Sequence, residues 1–557
     1  MGDQVSAAPS RYAAQPWLGL LSPAQRTPVS PPPTVLHCFR AAAARAPGRT
    51  ALAYFDGRIG YAEADALSDS LAGHLAEQGV GRGDRVAVML QNTPHFVLAV
   101  LAAWKAGAVV VPLNPMYKAG EAGHILRDSG AVALVCDDRA WTAYLREAAR
   151  GTGVRATLTA RDTDFQTRND VRVLPVGPDP DPGDTADLAT VARQGRPAPP
   201  DPALTAADTA LISYTSGTSG TPKGAMNPHG ALTHNAVRQV TAHPLPEGAA
   251  YFALAPLFHI TGMVCELAAC FTNAGTLVLA HRFEAGVVLD AFREHRPAYA
   301  VGPATAFMAL AAHPEATPDH FTSFRVLSSG GAPLPPALVE RLRAGFGFYL
   351  RNGYGLTETT AACASVPPHL EAPVDPASGT LSVGVPGADT VVRILDERGA
   401  EVPFGESGEI AVRGPQVVPG YWGMPADTAK AFPDGELRTG DVGFMDPDGW
   451  LYVVDRKKDM INASGFKVWP REVEDVLYTH PAVREAAVVG VPDPYRGESV
   501  KAYVSLRPGA LADPGELSAY CADRLAAYKY PRQVEILPVL PKTTSGKILR
   551  RELRDRG

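Results

Sequence analysis

The sequence predicts an α/β protein: a large N-terminal domain of parallel or mixed sheets flanked by helices, and a small α+β C-terminal domain. Between residues 50 and 300, short apolar runs (DRVAVML, GAVVVPL, AVALVCD, TALISYT, YFALAPL, GTLVLA, YAVGPA) alternate with longer Ala- and Leu-rich segments of helical period. Strands without polar alternation, each followed by a helix, are the pattern of parallel sheet buried on both faces. After about Asp455 the order changes to helix, strand, strand, helix, strand over roughly a hundred residues, a separate small domain. The 557 residues exceed the roughly 250–300 at which one core stops growing. The expected borders are an extension over 1–33, a large domain over 34–456 and a small domain over 457–557.

The extension scatters Arg, Ser and Pro up to Pro31-Pro32-Pro33, without an apolar stretch of signal-peptide length. The longest greasy run, Phe96 to Leu113, is interrupted by Lys105 and Gly107 and reads as a buried helix followed by a strand. The Pro/Asp-rich segment 176–187 reads as a surface loop. In the C-terminal series PREVEDVLYTH and GELSAYCADRLAAY read as helices, and REAAVVGV, ESVKAYVSL and QVEILPVL as strands.

Composition is that of an ordinary globular enzyme, 46% hydrophobic and 20% charged with a net charge of -6. No basic footprint invites nucleic acid. Six cysteines are spread along the chain without CxxC spacing, which favours a reducing compartment and no zinc site. With no apolar run long enough for a membrane segment, the expected location is cytoplasmic.

Chemistry first shows in YTSGTSGTPKG, Tyr214 to Gly224. Counting from Gly217, Pro222 stands where a GxxxxGK[ST] loop needs its second glycine, and Gly224 where it needs the hydroxyl after Lys223, so that motif is excluded. Small residues still expose successive backbone N–H groups, which form an anion-binding nest. Thr215, Ser216, Thr218 and Ser219 add hydroxyls and Lys223 a charge. Because TALISYT precedes it, the loop should sit at the carboxyl end of a strand, where open α/β sheets place ligands.

YTSGTSGTPKG resembles the signature loop of the adenylate-forming superfamily, which comprises acyl-CoA synthetases, luciferases and amino-acid-activating domains. Seven further matches, one before it and six after, fall in the expected order along nearly the whole chain: WKAGAVVVPLNP, APLFHITG, SSGGAPLP, NGYGLTET, RTGDVG, DRKKDMINASGFKVWPREVE and PKTTSGKILRR. PWLGLLSP and the DRKKD segment look most like long-chain fatty-acid CoA ligases. The resemblance implies that a carboxylate attacks the α-phosphorus of ATP, giving an acyl-adenylate and pyrophosphate. A thiol, usually that of coenzyme A, then displaces AMP.

The same resemblance implies residue roles. Thr215, Ser216, Gly217, Thr218, Ser219, Gly220 and Lys223 would hold the β- and γ-phosphates. Tyr354, within Asn352-Gly353-Tyr354-Gly355, would stack on adenine, with Gly330, Gly331 and Ala332 covering its other side. Thr357 and Glu358 would meet the α-phosphate, and Glu358 with Thr215 would hold Mg²⁺, a hard ion suited to oxygen ligands. Asp441 would clamp the ribose, assisted by Arg456. Lys547 would be the catalytic lysine of adenylation. It must withdraw before the thiol arrives, so the small domain would be mobile, swivelling about Lys458. Ser464, Gly465, Phe466 and Lys467 would then line the coenzyme A tunnel.

His259 stands where amino-acid-activating relatives carry an aspartate, so an amino acid would bring a buried, unpaired ammonium. His259, Gly302 and Gly330 are therefore expected around an apolar acid, long-chain or bulky. VGPATAFMALAAH and SSGGAPLP bring small side chains and, His313 apart, no charge. After Lys223 the chain reads GAMNPHGA, with Pro228 where the family commonly has threonine. A hydroxyl lost near the triphosphate would weaken the first half-reaction, which leaves open an enzyme that only converts a preformed adenylate. An acyl-AMP ligase loading a carrier protein is the other alternative, and a homodimer is also open.

Overall fold

The computed structural model describes residues 10–177, 180–215, 222–332, 334–456, 459–463, 466–493, 497–543 and 547–556. The seven strands expected between residues 50 and 300 all form, but they divide between two sheets. A seven-stranded sheet runs in the order Ala186–Asp187, Ala156–Ala160, Ala133–Asp137, Arg85–Met89, Val109–Pro112, Thr209–Tyr214, Gly224–Pro228. It is parallel except for the last strand. A nine-stranded sheet runs Val385–Pro386, Ala361–Ser365, Leu350–Leu356, Val326–Ser329, Tyr299–Gly302, Ala250–Phe252, Thr276–Leu279, Thr50–Tyr54, Gly57–Gly60. Its central strands are parallel and antiparallel pairs close both edges.

One apolar core joins the facing sides of these sheets, with Val88 and Val110 from one and Leu277 and Tyr299 from the other. Helix Pro94–Lys105 is buried along its whole length, as the run beginning at Phe96 requires. Lys105 is accommodated there because its ammonium donates to Asp65 Oδ1 at 2.5 Å and Asp69 Oδ1 at 2.6 Å, both on the neighbouring helix Tyr61–Glu77. The charge is paired, so burying the chain around it is tolerable.

A third, four-stranded antiparallel sheet, Val391–Leu395, Gly408–Arg413, Leu437–Met445 and Leu451–Arg456, follows before the small domain. The N-terminal extension packs here. Tyr12 and Trp17 are fully buried in one cluster with Ile394 and Met445. Tyr12 donates to Val402 O at 3.1 Å, and Arg238 donates to Gln25 O at 2.9 Å, tying the strap back to helix His229–Ala242.

The small domain is α+β as expected, with strands Val483–Asp493 and Gly497–Leu506 paired along their length and Gln533–Ile536 alongside. One helix is shorter than its pattern: it ends at Ala522 rather than near Tyr528, and Leu525, Tyr528 and Tyr530 turn in against the domain core. Segment 176–187 ends in the edge strand Ala186–Asp187, where the Asp187 carboxylate caps the next helix. Among the described residues no helix is long and apolar enough to cross a membrane.

Candidate active site

A cleft of about 1350 Å³ opens where strands of both large sheets end, and residues of the small domain close it. Thr215, Lys223, His259, Gly330, Gly331, Ala332, Asn352, Gly353, Tyr354, Gly355, Thr357, Glu358, Asp441 and Lys547 all line it. Side chains more than 300 residues apart in sequence therefore converge because parallel strands leave their loops at one edge. Ser216, Gly217, Thr218, Ser219, Gly220, Lys458, Ser464 and Gly465 lie outside the described residues. The backbone of Phe466 and Lys467 belongs to strand Phe466–Val468.

On one wall, Tyr354 donates its phenol proton to Asp441 Oδ2 at 2.7 Å. Burial and the adjacent carboxylate push the Tyr354 pKa well up, so the phenol keeps its proton. Asp441 pairs with Arg456 in backbone register on the neighbouring strand. Two glycines here are required by geometry. Gly331 has φ +78°, and a Cβ on it would meet Lys547 Cε at 3.3 Å; a Cβ on Gly355 would fall 1.9 Å from Ala361 O.

On the other wall, Lys223 is ion-paired with Asp427 and lies 5.2 Å from the centroid of the Tyr421 ring. Tyr421 in turn donates to Glu358 Oε1 at 2.8 Å. The turn carrying Thr357 and Glu358 is strained: Thr360 and Ala361 both have positive φ, 49° and 78°. Such backbone persists only where surroundings hold it. Buried Asn227 donates to Thr357 O at 2.9 Å, and buried Asn235 to Thr360 O at 2.5 Å. Asn227, Asn235, Tyr421 and Asp427 carry no sequence pattern of their own, and only the fold reveals them.

Lys547 enters from the small domain on a turn closed by the Lys542–Ile548 bridge, with its backbone N–H donating to Thr543 Oγ1 at 3.0 Å. Three residues on, Arg550 binds both Glu474 oxygens at 2.9 and 2.7 Å and Asp455 Oδ1 at 3.2 Å. Asp455 lies on the strand Leu451–Arg456, so this arginine clasps the two domains together with Lys547 inside the cleft. His259 accepts a hydrogen bond from the Thr261 N–H at Nδ1, 3.3 Å, which leaves the ring proton on Nε2. Burial, and secondarily the Lys547 charge, push its pKa down to about 3, so it is neutral near pH 7.

Three expectations need correction. Gly302 is not among the cleft-lining residues, because alternation along Tyr299–Gly302 turns Tyr299 and Val301 to the cleft and Gly302 away, against Leu254. The acyl side of the cleft is not free of charged or polar groups: beside Phe258, Ile260 and Val301 stand Gln239, His243 and Arg351. Pro228 is remote from the phosphate loop. It pairs with Thr209 at the start of strand Thr209–Tyr214, whereas Gly224 pairs with Tyr214 at the loop, about 13 Å away at the strand rise. Pro228 does not line the cleft.

The residues bring together a Tyr354–Asp441 wall, a lysine cation at Lys223 beside Thr215, and a second lysine delivered from a second domain, the layout of an adenylate-forming enzyme. Models of two families match: AMP-binding enzyme over residues 39–422 and AMP-binding enzyme C-terminal domain over 472–547. A feruloyl-CoA synthase of Amycolatopsis sp is 38% identical over 516 residues, 92% of this chain and 96% of that protein. A long-chain-fatty-acid–CoA ligase of Bacillus subtilis (strain 168) is 34% identical, covering 92% of each. Among solved structures, an anthranilate CoA ligase in complex with anthranoyl-AMP superposes with a TM-score of 0.84 at 26% identity, covering 95% of this chain and 98% of that one. The chain belongs to the AMP-binding enzyme family. It is an AMP-forming acyl-CoA ligase that works through an acyl-adenylate, using ATP and coenzyme A.

Proposed function

We propose that this ligase activates a bulky or long acid with an apolar body and passes it to coenzyme A, with the residues of the cleft in the following roles. The carboxylate oxygen attacks the α-phosphorus of ATP near Gly330, and pyrophosphate departs toward Thr215 and Lys223. Lys547 supplies positive charge where negative charge accumulates, and His259 offers its Nε2–H to the carboxylate. Asp441 accepts from the ribose hydroxyls, beside Tyr354 at the adenine. Glu358 and Thr215 would hold Mg²⁺ through hard oxygen donors, and when bound it would neutralise phosphate charge.

The observation that carries this reading is the position of Lys547. It reaches Gly331 within the same cleft as the Tyr354–Asp441 pair and Glu358. In that pose the lysine fills the approach to the acyl carbonyl, so thioester formation needs the small domain, 457–557, to swing about Lys458 and present Ser464 to Lys467. The relatives' acids, ferulate and long-chain fatty acids, share an apolar body, and Phe258, Ile260 and Val301 suit one. Lys547→Ala is expected to abolish pyrophosphate release from ATP and acid, while thioester yield from synthetic acyl-adenylate and coenzyme A stays within a few fold. Equal loss of both activities in a folded variant would remove the assignment. Pro228 does not line the cleft, which weakens the motive for the thioester-only alternative.

A further inference from the structure

The acyl arm of the cleft does not stay apolar to its end. Registers Val301↔Ser328 and Ser328↔Arg351 set these three residues in one row across the nine-stranded sheet, on the face that lines the cleft. Gly330 and Gly353 stand two residues further along the chain from Ser328 and Arg351, and Tyr299, paired with Val326, stands one row below. Rows on one face repeat about every 6.6 Å, so Arg351 lies one such step beneath the level of Gly330, where the proposed reaction has its carboxylate. Across the arm, helix His229–Ala242 ends with Gln239 in its last turn and His243 just beyond, and both side chains line the cleft.

Arg351 is held there by the backbone of a loop. Nη1 donates to Pro367 O and Leu370 O, each at 3.0 Å, and Nη2 to Pro368 O at 2.5 Å, while the Tyr349 ring lies 5.3 Å from Cζ. Carbonyls fix the guanidinium without neutralising it, and these bonds use three of its five N–H donors. His243 is 5% exposed and its Nδ1 has no hydrogen-bond partner. Burial, then Arg351, lower its pKa to about 4, so the ring is neutral. Because Nδ1 is unpartnered, this contact does not fix the tautomer, and the ring can either donate or accept. A bare hydrocarbon end placed among these groups would bury them without partners, which is costly.

We propose that the acyl arm is built for an acid bearing a hydroxyl at the end remote from its carboxylate, the oxygen accepting from Arg351 and sharing a hydrogen bond with His243, with Gln239 alongside. This rests on the acyl-CoA ligase reading above and narrows its substrate class. A hydroxyl fits because it donates and accepts at once; an aryl and an alkyl body both present it, and the test separates them.

Wild-type enzyme is assayed for kcat/KM with two matched pairs: 3-phenylpropenoate against its 4-hydroxy derivative, and octanoate against 8-hydroxyoctanoate. The hydroxylated acid is expected to lead by about tenfold or more in one pair, since a site that hydrogen-bonds a substrate hydroxyl rejects the analogue lacking it. That ratio should fall toward one in His243→Phe, in Gln239→Leu and in Arg351→Met. The first two keep the test valid should Arg351→Met disturb the loop that Arg351 anchors. Equal kcat/KM within both pairs, or a ratio unchanged in all three variants, would overturn the proposal. Acyl-sulfamoyladenosine analogues of the four acids report the same preference as Kd. Should none of the acids release pyrophosphate, the ligase reading fails, while equal Kd values within each pair sink this inference by themselves.

Discussion

The contact that holds Lys547 in the cleft can be tested apart from Lys547 itself. Arg550→Met would remove the guanidinium that bridges Glu474 and Asp455, which are 6% and 7% exposed, and that also lies 3.6 Å from Asp459. Breaking a buried pair so that carboxylates remain without their cation costs about 3–5 kcal/mol. Glu474 shares the small domain with Arg550, so only the Asp455 contact distinguishes the poses, and at 1.4 kcal/mol per tenfold its loss lowers the adenylation-competent fraction about tenfold to 10²-fold. Pyrophosphate release in the presence of ATP and acid should fall accordingly, while thioester formation from synthetic acyl-adenylate should fall only a few fold. Arg550→Lys should rescue little, because one ammonium cannot span Glu474 and Asp455 as the planar fork does. Equal losses in both half-reactions, or a drop in melting temperature that accounts for both, would refute the clasp. Unchanged pyrophosphate release would refute it more simply.

Other outcomes follow from single sites. Gly331→Ala places a Cβ at φ +78° and 3.3 Å from Lys547 Cε, so pyrophosphate release should drop at least tenfold with little change in melting temperature; wild-type release would show that the lysine does not pass there. Trp17→Ala should cost about 3–5 kcal/mol in urea unfolding, because the indole is fully buried against the third sheet; a change under about 1 kcal/mol would mean the strap is dispensable. Asp475 should make stability pH-dependent. Burial, opposed by Arg471, raises its pKa from the ordinary 3.8 to about 7, so the fold favours the protonated form, and that stabilisation, complete below about pH 4, is lost as pH rises through 7. Asp475→Asn should therefore raise the melting temperature more at pH 8 than at pH 5, and equal shifts at the two pH values would contradict it.

Much of this molecule is legible in its sequence because local physics writes it there. Apolar runs such as DRVAVML and YAVGPA, bounded by turn residues and too short for helices, read as buried strands and form them, and the collinear motifs identify a set of residues that do meet in one cleft. Periodicity is a local signal, however, and does not tell which strands share a sheet. The split into two sheets, the packing of Tyr12 and Trp17 under a third, and the early end of the helix at Ala522 depend on burial between distant segments. So do Asn227 and Asn235, whose only function visible here is to hold a strained turn that lies more than 120 residues away.

By itself, the order of residues determined the chemistry available: a stretch of glycines and hydroxyls ending in a lysine, an aromatic side chain, carboxylates and a late lysine. Tertiary structure alone decided where those groups face. The alternation of strand Tyr299–Gly302 turned Gly302 out of the cleft, and the length of strand Gly224–Pro228 carried Pro228 away from it. Strand register set Arg351 in the acyl arm. Side-chain direction in a sheet depends on register with neighbours that are remote along the chain, and no window of sequence contains that register.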